Sequence, residues 1–210
     1  MEITKLTTIQ KDVLKEIGNI GAGNAATSMS ELLNKKIDMQ VPTVNVVDFD
    51  EMMDMIGGHE QVITALFFRI QGEAPGTVYF ILSIEEAKNL VEEITNQNGC
   101  GLLGEEFDEM AVSALQEAGN ILTSSYLSAL SDFTNLNMQP SIPYLSIDMA
   151  GAILTAGLVE LSQVTDYAII INTRINYLDS KDGIQGNFFF IPDPHSFQKI
   201  YQSLGLHNHE

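Results

Sequence analysis

The chain has 210 residues, a formal charge of −18 and 45% hydrophobic residues, enough to bury a real core in one large unit or two small ones. So negative a charge excludes a broad electrostatic footprint for nucleic acid or anionic lipid and points to protein partners with basic contact groups. No apolar run approaches the roughly 20 residues that span a bilayer, and no apolar signal core follows Met1-Glu2-Ile3-Thr4-Lys5, so the chain is expected to be cytoplasmic.

Thr7-Thr8-Ile9-Gln10 has the form of a capping box and predicts a helix start. Ile9, Val13, Ile17, Ile20, Met29, Leu32 and Leu33 recur at helical spacing as its expected buried stripe. Asp12, Glu16, Asn19 and Gly23 share a neighbouring face, free to meet a partner. Gly18, Gly21 and Gly23 each lower helix stability by about 1 kcal/mol relative to alanine, so they predict a close approach by another backbone. Basic Lys35 and Lys36 suit the helix C-terminus.

Extended segments are then predicted at Ile37–Gln40 and Val44–Asp48, broken by Pro42, with a short helix from Asp50 to Ile56. Val62–Phe68 and Thr77–Leu82, joined through Gly72-Glu73-Ala74-Pro75-Gly76, read as a hairpin. Ser83 can cap a helix from Ile84 to Thr95, and Asn96 to Gly104 connects the halves. In that connection lies Cys100, the one cysteine, with no basic neighbour to activate its thiol and no partner for a disulfide.

The order then repeats. Glu105, Glu106, Asp108 and Glu109 crowd the expected first turn of a second long helix. Phe107, Ala111, Ala114, Leu115, Ala118 and Leu122 form its apolar stripe, and Ser113, Glu117, Asn120 and Ser124 lie off it. Pro140 and Pro143 end the next connection, a short helix is predicted over Met149–Leu161, and Tyr167–Asn176 with Gly186–Ile191 make a second hairpin with Asp182-Gly183 at its turn. Pro194 to Leu204 closes with a helix. His59, His195, His207 and His209 show no metal-cage spacing, and the last two fall on a tail expected to be unstructured.

The repeat is sharpest where Asp12-Val13-Leu14-Lys15-Glu16-Ile17-Gly18-Asn19 returns as Ser113-Ala114-Leu115-Gln116-Glu117-Ala118-Gly119-Asn120, with Pro42 and Pro143 following at the same distance. The fold class expected is therefore α+β: an internal duplication with pseudo-twofold symmetry, an antiparallel β-sheet core and two long equivalent helices carrying the motifs. Residues 1–210 are read as one domain made of two repeats, about 1–99 and 100–210, merged around a shared core.

Gly21-Ala22-Gly23-Asn24-Ala25-Ala26 satisfies the G-x-G-x-x-A dinucleotide pattern, but that fingerprint needs a buried strand before the glycines. Gln10-Lys11-Asp12 and Lys15-Glu16 put charges at helical spacing there instead, and Leu122-Thr123-Ser124-Ser125 in the second half has no glycine.

The Glu16–Asn19 and Glu117–Asn120 pairs, each bracketing a mid-helix glycine, form a duplicated surface pattern without core value. Glu16-x-x-Asn19 and Glu117-x-x-Asn120, with Asp12 or Ser113 before them and Pro42 or Pro143 after, resemble the signature of the CheC, CheX and FliY family, phosphatases of the chemotaxis response regulator CheY. The resemblance covers both copies, with no added switch domain of the FliY kind. It implies that Asn19 and Asn120 orient the attacking water on the CheY aspartyl phosphate, since a carboxamide both donates and accepts while remaining neutral. It implies that Glu16 and Glu117 dock against a lysine beside the phosphorylated aspartate. Gly18 and Gly119 are then expected to let each helix lie close over the partner's active site.

The resemblance also implies that Mg2+ is supplied by the CheY partner, with no cofactor or metal held by this chain, and that the receptor deamidase CheD is a second partner. The alternatives are a noncatalytic module that sequesters phospho-CheY or regulates CheD, and a structural component of the flagellar switch.

Overall fold

The computed structural model describes residues 7–41, 43–96, 108–161, 167–177 and 183–204. Pro42, Cys100, Glu105, Glu106, Phe107, Asp182, His207 and His209 lie outside them, as does most of the connection between the halves. The first half runs α1 (Thr8–Leu33), β1 (Ile37–Gln40), β2 (Val44–Asp48), α2 (Phe49–Met55), β3 (Val62–Gly72), β4 (Gly76–Ser83) and α3 (Ile84–Thr95). The second repeats that order as α4 (Glu109–Thr134), β5 (Met138–Pro140), β6 (Tyr144–Met149), α5 (Ala150–Leu161), β7 (Tyr167–Tyr177), β8 (Ile184–Pro192) and α6 (Pro194–Ser203).

Local chemistry sets the helix ends. The Thr7 N–H donates to Gln10 Oε1 at 2.8 Å and the Gln10 N–H to Thr7 Oγ1 at 3.3 Å, completing the capping box. Asp108, at the equivalent position, accepts from the Met110 N–H at 2.9 Å. Both long helices stop at an asparagine in the left-handed region, Asn34 at φ 49° and Asn135 at φ 54°. Lys35 thus falls past the end of α1, where it pairs with Glu93 at 2.9 Å.

All strand pairs are antiparallel, in the order β1-β7-β8-β4-β3-β5, with β2 also on β7 and β6 also on β3. The hairpin of each half supplies two central strands, and β4 meets β8 along Gly76–Ile81 against Pro192–Asn187. The outer strands are exchanged: β1 and β2 of the first half pair with β7 of the second, and β5 and β6 of the second pair with β3 of the first.

Alternation along the strands then fills two layers. Leu66, Phe68, Ile70, Val78, Phe80, Leu82, Ile169, Ile171, Phe188 and Phe190 face α1, α3, α4 and α6. Ile63, Ala65, Tyr79, Ile81, Ala168, Ile170, Phe189 and Ile191 face α2 and α5.

The stripe of α1 differs from the expectation. Its buried residues are Gln10, Leu14, Ile17, Gly18, Gly21, Ala22, Ala25 and Met29, whereas Ile9 is 70% exposed and Ile20 and Leu32 also stand in solvent. The reason is that α1 packs with small residues. A Cβ on Gly21 would lie 2.6 Å from Tyr126 Cδ1 and 3.0 Å from Tyr126 Cα, so α4's backbone reaches α1 there, as expected; of the other two glycines, Gly18 faces side chains only and Gly23 faces open space, so neither marks a close backbone. At the symmetry-related positions the sizes are exchanged, with Leu122 for Gly21 and Ala25 for Tyr126. The Tyr126 hydroxyl meets Thr173 Oγ1 at 2.8 Å, and burial pushes its pKa up to about 12 against the opposing effect of that bond.

Candidate functional site

With α1 and α4 each laid on the sheet by one face, what remains outward on each is the line of carboxylate and carboxamide. Asp12, Glu16, Asn19 and Gly23 on α1 are exposed. On α4, Ser113 and Glu117 are exposed, while Asn120 and Ser124 are half-buried. The i, i+3 spacing stacks glutamate and asparagine on successive turns. Among the described residues none is a hydrogen-bond or ion-pair partner of the side chains of Glu16, Asn19, Glu117 or Asn120.

The glycine between each pair has a different part from the one expected. Gly18 and Gly119 are buried and point inward. A Cβ on Gly18 would meet Val41 Cγ1 at 3.3 Å, Val44 Cγ2 at 3.5 Å and Ile171 Cγ2 at 3.7 Å; one on Gly119 would meet Leu66 Cδ1 at 2.9 Å and Phe68 Cζ at 3.4 Å. The close approach is thus between each helix and the protein's own sheet, not a partner. Physically, a residue two or one positions from Glu and Asn turns roughly 200° or 100° away from them on a helix, so it cannot share their outer face.

The two faces differ in the loop that follows. At α4, the β5–β6 connection stands off the helix and encloses an open groove of about 340 Å³ lined by Ser113, Gln116, Glu117, Asn120, Pro140, Ser141, Ile142 and Pro143. Gln116 Nε2 donates to the Pro143 carbonyl at 3.4 Å, and the Ser141 N–H donates to the Arg69 carbonyl at 2.8 Å, so helix and strand both hold the loop. At α1, Val41 is only 3% exposed and lies against the Gly18 position. Thr43 is tied to β7 instead, its Oγ1 accepting from Asn172 Nδ2 at 2.6 Å and its carbonyl from the Asn172 N–H at 3.2 Å. The position of Gln116 is Lys15 in the first copy.

The structure therefore brings Ser113, Glu117, Asn120 and Pro143 into one groove, and Asp12, Glu16 and Asn19 are exposed side by side on α1. Sequence reasoning missed Gln116, Ser141 and Ile142. Gln116 had a signal, since it sits beside Glu117 in the repeated frame; the loop residues had none, because their positions depend on pairing with β3. Gly21-Ala22-Gly23 lies inside α1, preceded by helix from Thr8 onward, and a Cβ on Gly23 would meet nothing within 4 Å. Among the described residues no three His, Cys, Asp or Glu side chains gather as a metal site, and no helix is long and apolar enough to cross a membrane.

Chemically, each face offers an acceptor that can take a basic group and, one turn on, a neutral amide that can both donate and accept. Neither offers an activated nucleophile. Such a surface can position a water or a cation against a substrate that brings its own electrophile.

The CheC-like family model matches residues 9–46 and 110–147, the same separation as that of Glu16 from Glu117. The chain is 42% identical over 198 residues to the CheY-P phosphatase CheC of Bacillus subtilis strain 168, covering 93% of this chain and 94% of that protein. Among solved structures, Thermotoga maritima FliY superposes with a TM-score of 0.69 at 22% identity, covering 95% of this chain and 98% of that one. The FliM middle domain from H. pylori superposes with a TM-score of 0.66 at 13% identity, covering 94% and 99%. These two likenesses establish the fold and leave the activity to the residues.

Proposed function

The chain belongs to the CheC-like family, and from that premise we propose that it is a protein phosphatase removing the aspartyl phosphate of the response regulator CheY. The observation that carries the reading is the duplicated, outward Glu–Asn pair whose side chains have no partner among the described residues, in a protein 42% identical to a CheY-P phosphatase along nearly its whole length.

An aspartyl phosphate is an acyl phosphate, and its hydrolysis needs a water held in line with the phosphorus opposite the carboxylate leaving group. The water oxygen forms the new P–O bond, the bond to the aspartyl oxygen breaks, the regulator recovers its carboxylate, and both of the water's protons leave with inorganic phosphate as dihydrogen phosphate. Asn120, and Asn19 in the other copy, accept a hydrogen bond from that water through the side-chain carbonyl and, being neutral, do not repel the phosphoryl oxygens as a carboxylate would. Glu117 and Glu16 set the docking register by a charge-assisted bond to a lysine of the regulator. Magnesium enters with the regulator, held by the regulator's own carboxylates. The receptor deamidase CheD is a second partner on the strength of the family resemblance, and the two repeats act as one unit in the cytoplasm.

The test is to mix the purified chain with phosphorylated CheY and magnesium and follow phosphate release. Acceleration over the regulator's own decay is expected from the parent chain, with none from Asn19→Ala/Asn120→Ala although binding survives. A parent chain that binds phospho-CheY and slows or leaves unchanged its decay would establish the noncatalytic, sequestering module instead.

A further inference from the structure

We infer that Ile142 is an apolar anchor on which the phosphorylated regulator seats at the α4 groove, a specificity contact that the α1 face lacks; the inference rests on the reading that Glu117 and Asn120 act on a protein-borne phosphoryl group. Ile142 is 89% exposed, more than any other large hydrophobic side chain among the described residues. A single aliphatic side chain in water is ordinary on a protein surface. Three observations distinguish this one.

First, Ile142 lines the same groove as Glu117 and Asn120. A small phosphoester can reach Asn120 without touching the rim, whereas a folded domain that brings a phosphoryl group there must cover the loop as well. Second, the loop is held with Ile142 outward. The Ser141 N–H donates to the Arg69 carbonyl at 2.8 Å, the Arg69 N–H donates to Ser141 Oγ at 3.0 Å, and the Ser141 hydroxyl donates to the Ile142 carbonyl at 2.9 Å. On the other side Gln116 holds the Pro143 carbonyl at 3.4 Å. Turning Ile142 inward would break these bonds, and a preorganised contact loses little freedom on binding.

Third, the counterpart of Ile142 in the first copy is Val41, which is 3% exposed and packed at the Gly18 position. The same place in the repeat is thus served by an inward residue in one copy and an outward one in the other. Met110 extends the apolar rim along α4: it is 50% exposed and one turn before Ser113 on the motif's face. Its counterpart Ile9 is exposed too, so Ile142 is what separates the two faces.

The experiment uses the full chain with Asn19→Ala in the background, so that turnover reports the α4 groove. Ile142→Ser is expected to raise KM for phosphorylated CheY about tenfold while kcat changes less than about twofold, and Ile142→Leu to restore KM. The affinity for CheY carrying beryllofluoride and magnesium, measured by calorimetry, should fall by the same factor. Because Ile142 is in solvent, the variants are expected to keep the parent's melting temperature. Unchanged KM and affinity in Ile142→Ser would overturn the proposal, as would a variant that only disperses a homodimer in sedimentation and leaves CheY binding intact. A parent chain that hydrolyses nothing, with affinity still lost in Ile142→Ser, would remove the phosphatase reading and keep the anchor.

Discussion

The outer faces of α1 and α4 carry the same carboxylate and carboxamide one helical turn apart, yet they are set in different surroundings. On α4 the half-buried Asn120 belongs to a groove whose far wall is a loop bound to both helix and strand. On α1 the exposed Asn19 stands beside a loop whose Val41 has collapsed onto the helix. Duplication copied the carboxylate and the carboxamide, and of the two amides Asn120 is the less exposed. Since positioning is what an amide contributes to such a hydrolysis, the enclosed copy should carry more of the turnover.

The largest effect should come from removing both amides. Asn19→Ala/Asn120→Ala is expected to lower the rate of phosphate release about 100-fold or more. The single variants break the tie: Asn120→Ala should remove most of the activity and Asn19→Ala less than half, measured under single-turnover conditions. Equal losses would mean that the loop around α4 adds nothing.

Next come the buried glycines. Gly119→Ala drives a methyl to within 2.9 Å of Leu66 Cδ1 in a filled core; about 1–3 kcal/mol of overpacking against about 1 kcal/mol of helix propensity should leave a net loss of about 0–2 kcal/mol, with about 2–4 °C of Tm for each kcal/mol. Gly18→Ala, with its nearest atom at 3.3 Å, should be close to neutral, because about 1 kcal/mol of helix propensity offsets the crowding. Calorimetric scans of the two variants give the difference directly.

Gln116→Ala removes the bond that ties α4 to Pro143 and should slow turnover at that face about fivefold in the Asn19→Ala background. Lys15→Ala, at the matching place on α1, should change turnover in an Asn120→Ala background less than that.

The smallest difference concerns the seam shared by both copies. Burial pushes the folded Tyr126 up to about 12 from its ordinary 10.0, so the unfolded chain loses its proton first and stability should fall as pH rises through that interval. Tyr126→Phe should shrink this alkaline fall while leaving the ratio of the two faces unchanged.

The elements themselves were legible in the sequence because their signals are local. Thr7 with Gln10, the alternation of Val62–Phe68 and the capping Ser83 name their structures within a few residues, and the repeated Glu-x-x-Asn frame named the family. Three things were not legible, each for a physical reason. The buried stripe of α1 runs through Gly21, Ala22 and Ala25 and not through Ile9 and Ile20, because where two helices meet closely small residues are the packing residues and hydrophobicity alone misplaces the face. Gly18 and Gly119 were assigned to the partner when the neighbour they make room for is Val41 or Leu66, contacts separated from them by long stretches of chain. The outward turn of Ile142 depends on Arg69 and Ser141 meeting across the β3–β5 edge, which no periodicity reports.

The exchange of outer strands bears on descent. A half-length progenitor folding with the pattern seen here would lend β1 and β2 to a twin and receive the twin's pair on the free edge of its own β3. Fusing the twins into one polypeptide freed each copy to drift, so that one could refine its pocket while the other preserved the architecture.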